Sequence, residues 1–265
     1  MGKTGKSMSR TAHTIAKNSF LFRELVKRDF QQKYKRTILG MGWSILLPLL
    51  QLFVMKIVFT GFFGRSTPHY TIYLFAGNLV LNYYKEATKN GMKSLLDNSS
   101  ILTKINVPKY LFLFSKNVSA LFNFGLCLIV FFFFCIIDHI TFHLNFVMLI
   151  YPILCLLIMN LGMGMILSAL YVFFRDISYL YEVFLTLLTY LSAVFYTLDK
   201  FSPDVQQLFL LNPVYCIIKY IRVLVIDGHL PSPEYHLLCF GYAVLFFLIG
   251  SFFYKKLNQK FVYYF

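Results

Sequence analysis

Three groups of residues carry side chains that could do chemistry. The first is MGKTGKS, residues 1–7, whose Gly5-Lys6-Ser7 matches the end of a phosphate-cradling P-loop. A P-loop needs four residues between its glycines, a buried strand before them and a helix after. Here only Lys3 and Thr4 separate Gly2 from Gly5, no strand can precede residue 2, and no acidic residue closes an apolar strand. The expectation is a flexible basic tail over residues 1–19 and a chain that hydrolyses no nucleotide itself. The second group is Asp138, His139 and His143, with the histidines four apart. They could share a metal ion, but they fall in a short loop, and a solvated turn is the simpler expectation. The third group is a sorted face. At 100° per residue, Ser178, Tyr179, Glu182, Thr186, Thr189, Tyr190, Ala193, Tyr196 and Thr197 fall within a sector of about 120°. Phe184, Leu187, Leu188, Leu191 and Phe195 lie opposite.

The elements that must position these residues follow from composition. Of 265 residues, 58% are hydrophobic and only 14% charged, with a mean hydropathy of +0.65. A soluble domain is about 25% charged, so this chain cannot coat a water-soluble globule. Its apolar residues come in blocks that reach the ~20 residues needed to cross a bilayer. The fold class is therefore all-α integral membrane, with six expected spans. They run over about 38–63, 70–87, 110–137, 146–174, 178–198 and 235–254, within a transmembrane domain of 38–254. A carboxylate inside a span normally faces protein or water. The 178–197 face thus reads either as the lining of a path or as packing on a neighbouring helix.

The net charge of +14 is gathered in a few segments beside apolar blocks, which suits topology and not nucleic acid. Ten Lys/Arg precede Ile38, five (Lys85, Lys89, Lys93, Lys104, Lys109) separate spans two and three, and Lys255, Lys256 and Lys260 close the chain over 255–265. The opposite segments carry Arg65, then none, then Lys200, Lys219 and Arg222. The positive-inside rule places both termini in the cytoplasm. No early apolar segment has signal-peptide proportions. Five scattered cysteines (Cys127, Cys135, Cys155, Cys216, Cys239) lack a CxxC and read as apolar packing residues. Asn160, Gly164 and Ser168 form a stripe suited to helix packing. Lys56, inside the first span, either snorkels or contacts a pore.

Residues 20–37 contain FLFRELVKRDFQQKYKR, with apolar positions at 21, 22, 25, 26, 30 and 34. This predicts a helix in the cytoplasmic interface, its apolar side in lipid and its basic side at anionic headgroups. The segment 199–234 is long and apolar. Ser202-Pro203-Asp204 starts a helix, Asn212-Pro213 restarts one, and Asp227-Gly228 ends it. Both pieces are too short to span, so they read as two re-entrant or gate helices. Segment 98–110, NSSILTKINVPKY, holds a short helix that Ser99 or Ser100 could cap and Pro108 stops.

RDFQQKYKRTILGMGWSILLPLL resembles the start of the membrane subunit of bacterial polysaccharide exporters of the ATP-binding-cassette superfamily, the O-antigen and teichoic-acid type. The pattern LGxxWxxxxPL is met by Leu39, Gly40, Trp43, Pro48 and Leu49. FFRDI at 173–177 resembles that family's cytoplasmic turn between spans four and five. LNP at 211–213 resembles the motif between its two extracellular gate helices. The resemblance runs from about residue 20 to 255. It implies a homodimer in the bacterial plasma membrane, bound to two copies of a separate nucleotide-binding ATPase that holds the ATP and magnesium. This chain would bind no cofactor. It implies ATPase coupling at Arg28, Asp29, Ile101, Leu102, Lys104, Val107, Pro108, Arg175 and Asp176. It further implies a gate at Asn212, Pro213, Lys219 and Arg222, and a membrane lead-in at Trp43 and Pro48. The substrate would be a lipid-linked cell-envelope polysaccharide. On the fifth span, hydroxyls could replace water around a sugar while tyrosine rings stack on its C–H faces, which makes Tyr179, Glu182, Thr186, Thr189, Tyr190 and Tyr196 channel candidates.

Three other readings compete. A drug or small-lipid exporter of the same plan would have less use for the polar aromatic face. An integral-membrane enzyme needs a cluster of His, Asp, Arg or Ser at one depth, and only the Asp138 group offers one. An ion-driven carrier usually shows several intramembrane charges or an internal repeat, and neither is evident.

Overall fold

The computed structural model describes residues 18–32, 37–59, 61, 68–105, 107–199, 201–258 and 260–264. The Gly5-Lys6-Ser7 motif, Arg65 and Lys200 lie outside the described residues. Every regular element described is helical. In chain order these are α1 (18–32), α2 (Trp43–Phe59, preceded by the 3-10 turn Gly40–Gly42), α3 (Tyr70–Asp97), α4 (Ser99–Leu102), α5 (Tyr110–Ile137) and α6 (Ile150–Phe173). There follow α7 (Ile177–Leu191), α8 (Pro203–Phe209), α9 (Pro213–Arg222, continued by a π-helical turn over Val223–Asp227) and α10 (Pro233–Leu257).

Four described helices are long and apolar enough to cross a membrane: Gly40–Phe59, Tyr110–Ile137, Leu144–Phe173 and Pro233–Leu257. A fifth span results if α8 and α9, bent by 106° at their junction, count as one. Helix α3, at 28 residues, is about 42 Å long, but its lower half is charged. Helix α7 is apolar but only 15 residues long.

Helix α3 is the central post. It continues to Asp97, ten residues past the expected end, because Tyr84, Ala87, Thr88, Gly91, Met92 and Leu95 keep one buried face through the charged stretch. Helices α5 and α6 pack on it, and α10 packs on α6. The α6–α10 contact is backbone on backbone. A Cβ on Gly162 would lie 2.3 Å from the Phe246 carbonyl carbon, and one on Gly250 would lie 2.3 Å from the Gly162 oxygen. Such small-residue contacts let helices approach closely where no hydrophobic driving force exists between them.

Three core clusters result among the described residues. The smallest gathers Ala193, Leu198 and Tyr215, and the largest lies around α3, α5, α6 and α9. The third gathers Leu25 of α1, Leu95, Leu102 of α4, Leu111–Leu113, Met165, Val172, Tyr254 and Phe261. Part of the apolar side of α1 packs on protein in that cluster, with Leu25 buried and Leu21 and Phe22 half-buried, while Phe20 is exposed. Arg23, Glu24 and Lys27 face outward.

Candidate functional site

Helix α7 is lightly covered, with three of its 15 residues buried, and has three sides. Tyr181, Leu185 and Leu188 are buried against the chain. The Tyr181 hydroxyl donates to Thr88 Oγ1 at 2.7 Å, and Thr88 in turn donates to the Tyr84 carbonyl at 2.6 Å. Leu180, Val183, Phe184, Leu187 and Leu191 form an exposed apolar side. Tyr179, Glu182, Thr186 and Tyr190 are exposed between them, with Thr189 half-buried at the edge. The apolar back expected from sequence therefore splits in two. Leu188 and Phe195 turn into the protein, while Phe184, Leu187 and Leu191 face outward. Among the described residues no helix covers the polar side, although α3 reaches its edge.

The polar side is continued by α3. Lys89 Nζ lies 2.7 Å from Glu182 Oε1, and Lys85 Nζ donates to Thr189 Oγ1 at 2.7 Å. Asn78, Asn82, Lys85, Glu86 and Lys89 recur at helical spacing along α3. They open into a cleft of about 550 Å³ between α2, α3 and α5 that Trp43, Ser44, Pro48 and Gln51 also line. Inside it Ser44 donates to Asn123 Oδ1 at 3.2 Å, and Asn123 Nδ2 donates to Glu86 Oε1 at 2.6 Å. Asn82 Nδ2 reaches Gln51 Oε1 at 3.3 Å. The α3 stripe was missed in the sequence because its lysines were counted as a basic connection. The signal was present as Asn78, Asn82, Glu86 and Lys89 at three- and four-residue steps.

The expected fifth helix, to Leu198, ends at Leu191 instead. Ala193 takes φ 47°, a left-handed conformation that side chains other than glycine adopt rarely. Groups from elsewhere hold the break. Buried Arg222 reaches over from α9 and donates to the carbonyls of Ala193 (2.9 Å), Val194 (3.0 Å) and Tyr73 (3.1 and 3.2 Å). Its guanidinium carbon lies 3.4 Å from the centre of the Tyr73 ring. Tyr70 and Tyr73 of α3 donate to the carbonyls of Phe195 and Tyr196, both at 2.7 Å. Ala193, Tyr196 and Thr197 therefore leave the helical face. Tyr196 folds back so that its hydroxyl donates to the Tyr190 carbonyl at 2.7 Å.

Asn212 caps α9, accepting from the Val214 and Tyr215 amides at 3.0 and 3.3 Å, and donates to the Leu191 carbonyl at 3.0 Å. Pro213 occupies the first turn of α9, and Lys219 lines a cleft of about 540 Å³ with Arg222, Asp199, Asp227 and Tyr215. Helix α8 is largely exposed, whereas α9 is buried along most of its length. The two short helices thus form a hairpin whose α9 limb is welded to α3 and α7 through Arg222 and Asn212.

On the opposite end, Asp29 is buried and bound by Arg28 (2.8 Å), Lys116 (3.1 Å) and the Ser115 hydroxyl (2.8 Å). It fastens α1 to α5. Leu102 is buried, Ile101, Val107 and Pro108 are half-buried, and Ser100, Thr103, Lys104 and Ile105 face outward. Arg175 and Asp176 are exposed in the α6–α7 turn. Burial lowers the pKa of the Lys109 ammonium from its ordinary value. Asp138 pairs with His69 Nδ1 at 2.7 Å, and His143 pairs with Thr141 at 2.9 Å. Lys56 is exposed.

These features define a class: a multi-pass helical membrane protein with a polar lane beside its core and a separate cluster at the end that holds α1 and α4. Comparison with known proteins narrows it, since the ABC-2 type transporter family matches residues 21–226. The chain belongs to that family and is a transport subunit, a permease without a catalytic domain. Membership implies an ATPase partner subunit. The chain is 25% identical over 239 residues to the O-antigen export system permease protein RfbA of Klebsiella pneumoniae, covering 89% of this chain and 92% of that protein. It is 25% identical over 233 residues to the O-antigen export system permease protein RfbA of Myxococcus xanthus, covering 86% and 88%.

Proposed function

We propose that this chain is the membrane subunit of an exporter that moves a lipid-linked cell-envelope polysaccharide, an O-antigen, teichoic acid or related glycan, across the bacterial plasma membrane. The observation that carries the reading is the exposed polar side of α7, joined to Lys85 and Lys89 of α3. A lipid-facing helix gains nothing by holding a carboxylate, two hydroxyls and two tyrosines on one sector. A hydroxylated polymer that must slide gains weak, repeated contacts there. The resemblance to O-antigen permeases over most of the chain supports the same substrate class.

In this reading the working unit is a homodimer with two copies of a cytoplasmic ATPase. Six spans leave both termini in the cytoplasm, with α3 and α7 crossing as the second and fifth. The exposed residues of 98–105, together with Arg28, Arg175 and Asp176, meet the ATPase. Asp29, Leu102 and Val107 act from beneath by fixing that surface. The α8–α9 hairpin, with Asn212, Pro213, Lys219 and Arg222, closes the outer end of the path, and Trp43 and Pro48 border the lipid-linked substrate as it loads. Lys56, exposed on α2, snorkels.

Removing the chain from its own cell tests this. The expected result is loss of one surface polysaccharide with accumulation of its lipid-linked form at the cytoplasmic leaflet. Unchanged surface glycans, with altered tolerance to drugs, would overturn it.

A further inference from the structure

The short segment after α10 folds back into the protein. Its 3-10 turn, Phe261–Tyr264, carries a fully buried Phe261 inside the cluster that holds α1 and α4. The Phe261 ring packs edge-on against Tyr254 of α10 at 5.4 Å and beside Phe173 at the end of α6 at 6.1 Å. Tyr264 meets Phe173 at 4.7 Å. Lys109, between α4 and α5, lies over the same Phe261 ring at 5.4 Å, and its ammonium donates to the Asn258 carbonyl. One aromatic side chain is therefore shared by three elements: the loop after α4, the α6 end that leads into the Arg175–Asp176 turn, and the end of α10.

The loop it touches has few apolar contacts. The amides of Thr103, Lys104 and Ile105 hydrogen-bond back to Ser99 and Ile101 of the four-residue α4, and residues 103–105 and 107–109 are not in a regular helix. Among the described residues between Leu102 and the start of α5, only Val107 joins the apolar cluster. A push on exposed Thr103, Lys104 or Ile105 would be absorbed by such a loop unless something braced it. Helices α6 and α10 meet backbone to backbone at Gly162 and Gly250, which leaves little room for them to shift. Phe261 and Lys109 connect the soft loop to that rigid pair.

We propose that Phe261 and Lys109 are positioning residues for energy coupling: the folded-back segment braces the 98–110 loop against α6 and α10, so that ATPase motion reaches the spans as one movement. This rests on the reading that 98–110 and 174–176 contact the ATPase. A rigid, packed route between two sites is what transmits a two-state change without dissipation.

The test uses the full chain co-purified with its ATPase in liposomes, reading polymer translocated per ATP hydrolysed. Phe261→Ala and Lys109→Met should keep ATPase binding and hydrolysis but lower that ratio roughly five- to tenfold, the low end of what a coupling interaction supplies. Phe261→Leu, which restores apolar volume, should recover most of it. A merely structural role would lower hydrolysis and transport together through loss of complex, leaving the ratio unchanged, and that outcome overturns the proposal. If Phe261→Ala fails to assemble, Lys109→Met decides by the same ratio, because it keeps the apolar stem and removes only the ammonium. Cross-linking from positions 104 and 175 separates the two claims. Wild-type cross-links to the ATPase with an unchanged ratio in the variants overturn this proposal alone. Their absence removes the underlying coupling surface and this proposal with it.

Discussion

Helices α6 and α7 are neighbours in sequence, joined at Phe174–Asp176, yet they are built on opposite principles. Helix α6 buries more than half of its span against the rest of the chain and meets α10 through glycine. Helix α7 is fixed along one narrow edge by Tyr181, Leu185 and Leu188, and leaves a polar and an apolar side uncovered. The first helix is scaffold, where any added atom must displace backbone. The second offers surfaces that this chain does not use for itself. Small residues mark the one and a three-way division of side chains marks the other. A transporter needs both: an incompressible frame, and a helix with one side toward the frame, one toward lipid or a second subunit, and one toward the path.

The contrast can be broken most forcefully at Gly162. Gly162→Leu should prevent folding, since even a Cβ would sit 2.3 Å from the Phe246 backbone. Overpacking of this kind costs about 1–3 kcal/mol when side chains can yield, and here they cannot. Gly125→Ala, with nothing within 4 Å of its Cβ, should be neutral or stabilise slightly through helix propensity. Membrane accumulation and thermal unfolding in detergent measure both. If Gly162→Leu accumulates like wild type, α6 is not the frame.

A smaller effect is expected where α7 is tied to the α8–α9 hairpin. Arg222→Ala would take a donor from the Ala193, Val194 and Tyr73 carbonyls, leaving Ala193 only the 3.4 Å bond from the Tyr73 hydroxyl, and each buried group left unsatisfied costs about 1–3 kcal/mol. The 193–199 turn should then be cut by protease at lower enzyme concentrations, with α6 still resistant. Arg222→Lys should not restore resistance, because an ammonium lacks the planar fork that reaches three carbonyls. Equal protection of the turn in wild type and both variants would show that the break in α7 is set locally.

Much of this arrangement was legible in the sequence, and the exceptions share a cause. Helix α5 begins and ends where Pro108 and Asp138 place it, and α9 starts at Asn212-Pro213 and stops at Gly228, which has φ 72°. These signals are local. The end of α7 carries no glycine or proline: Arg222, Asn212, Tyr70 and Tyr73 terminate it from 20 to 125 residues away. No window along the chain could reveal that. The apolar positions of α1 are visible in the sequence, but composition does not say whether an apolar face meets lipid or protein, and Leu25 meets protein. The polar side of α7 was visible as a 100° period from Tyr179 to Tyr190. Its partner stripe on α3 was hidden by assigning Lys85 and Lys89 to a connection, although their spacing from Asn78 and Asn82 was helical.

The three-sided character of α7 is the central claim, and accessibility tests it most directly. The chain's five cysteines are buried, so they would first be replaced. Single cysteines would then be placed at 179–191 in the ATPase complex during transport. A small charged thiol reagent should label 179, 182, 186 and 190, and should miss 181, 185 and 188. Positions 180, 183 and 187 should react only with an apolar reagent. Charged reagent reaching 180, 183 and 187 while sparing 182, 186 and 190 in every state would contradict the account and place the path elsewhere.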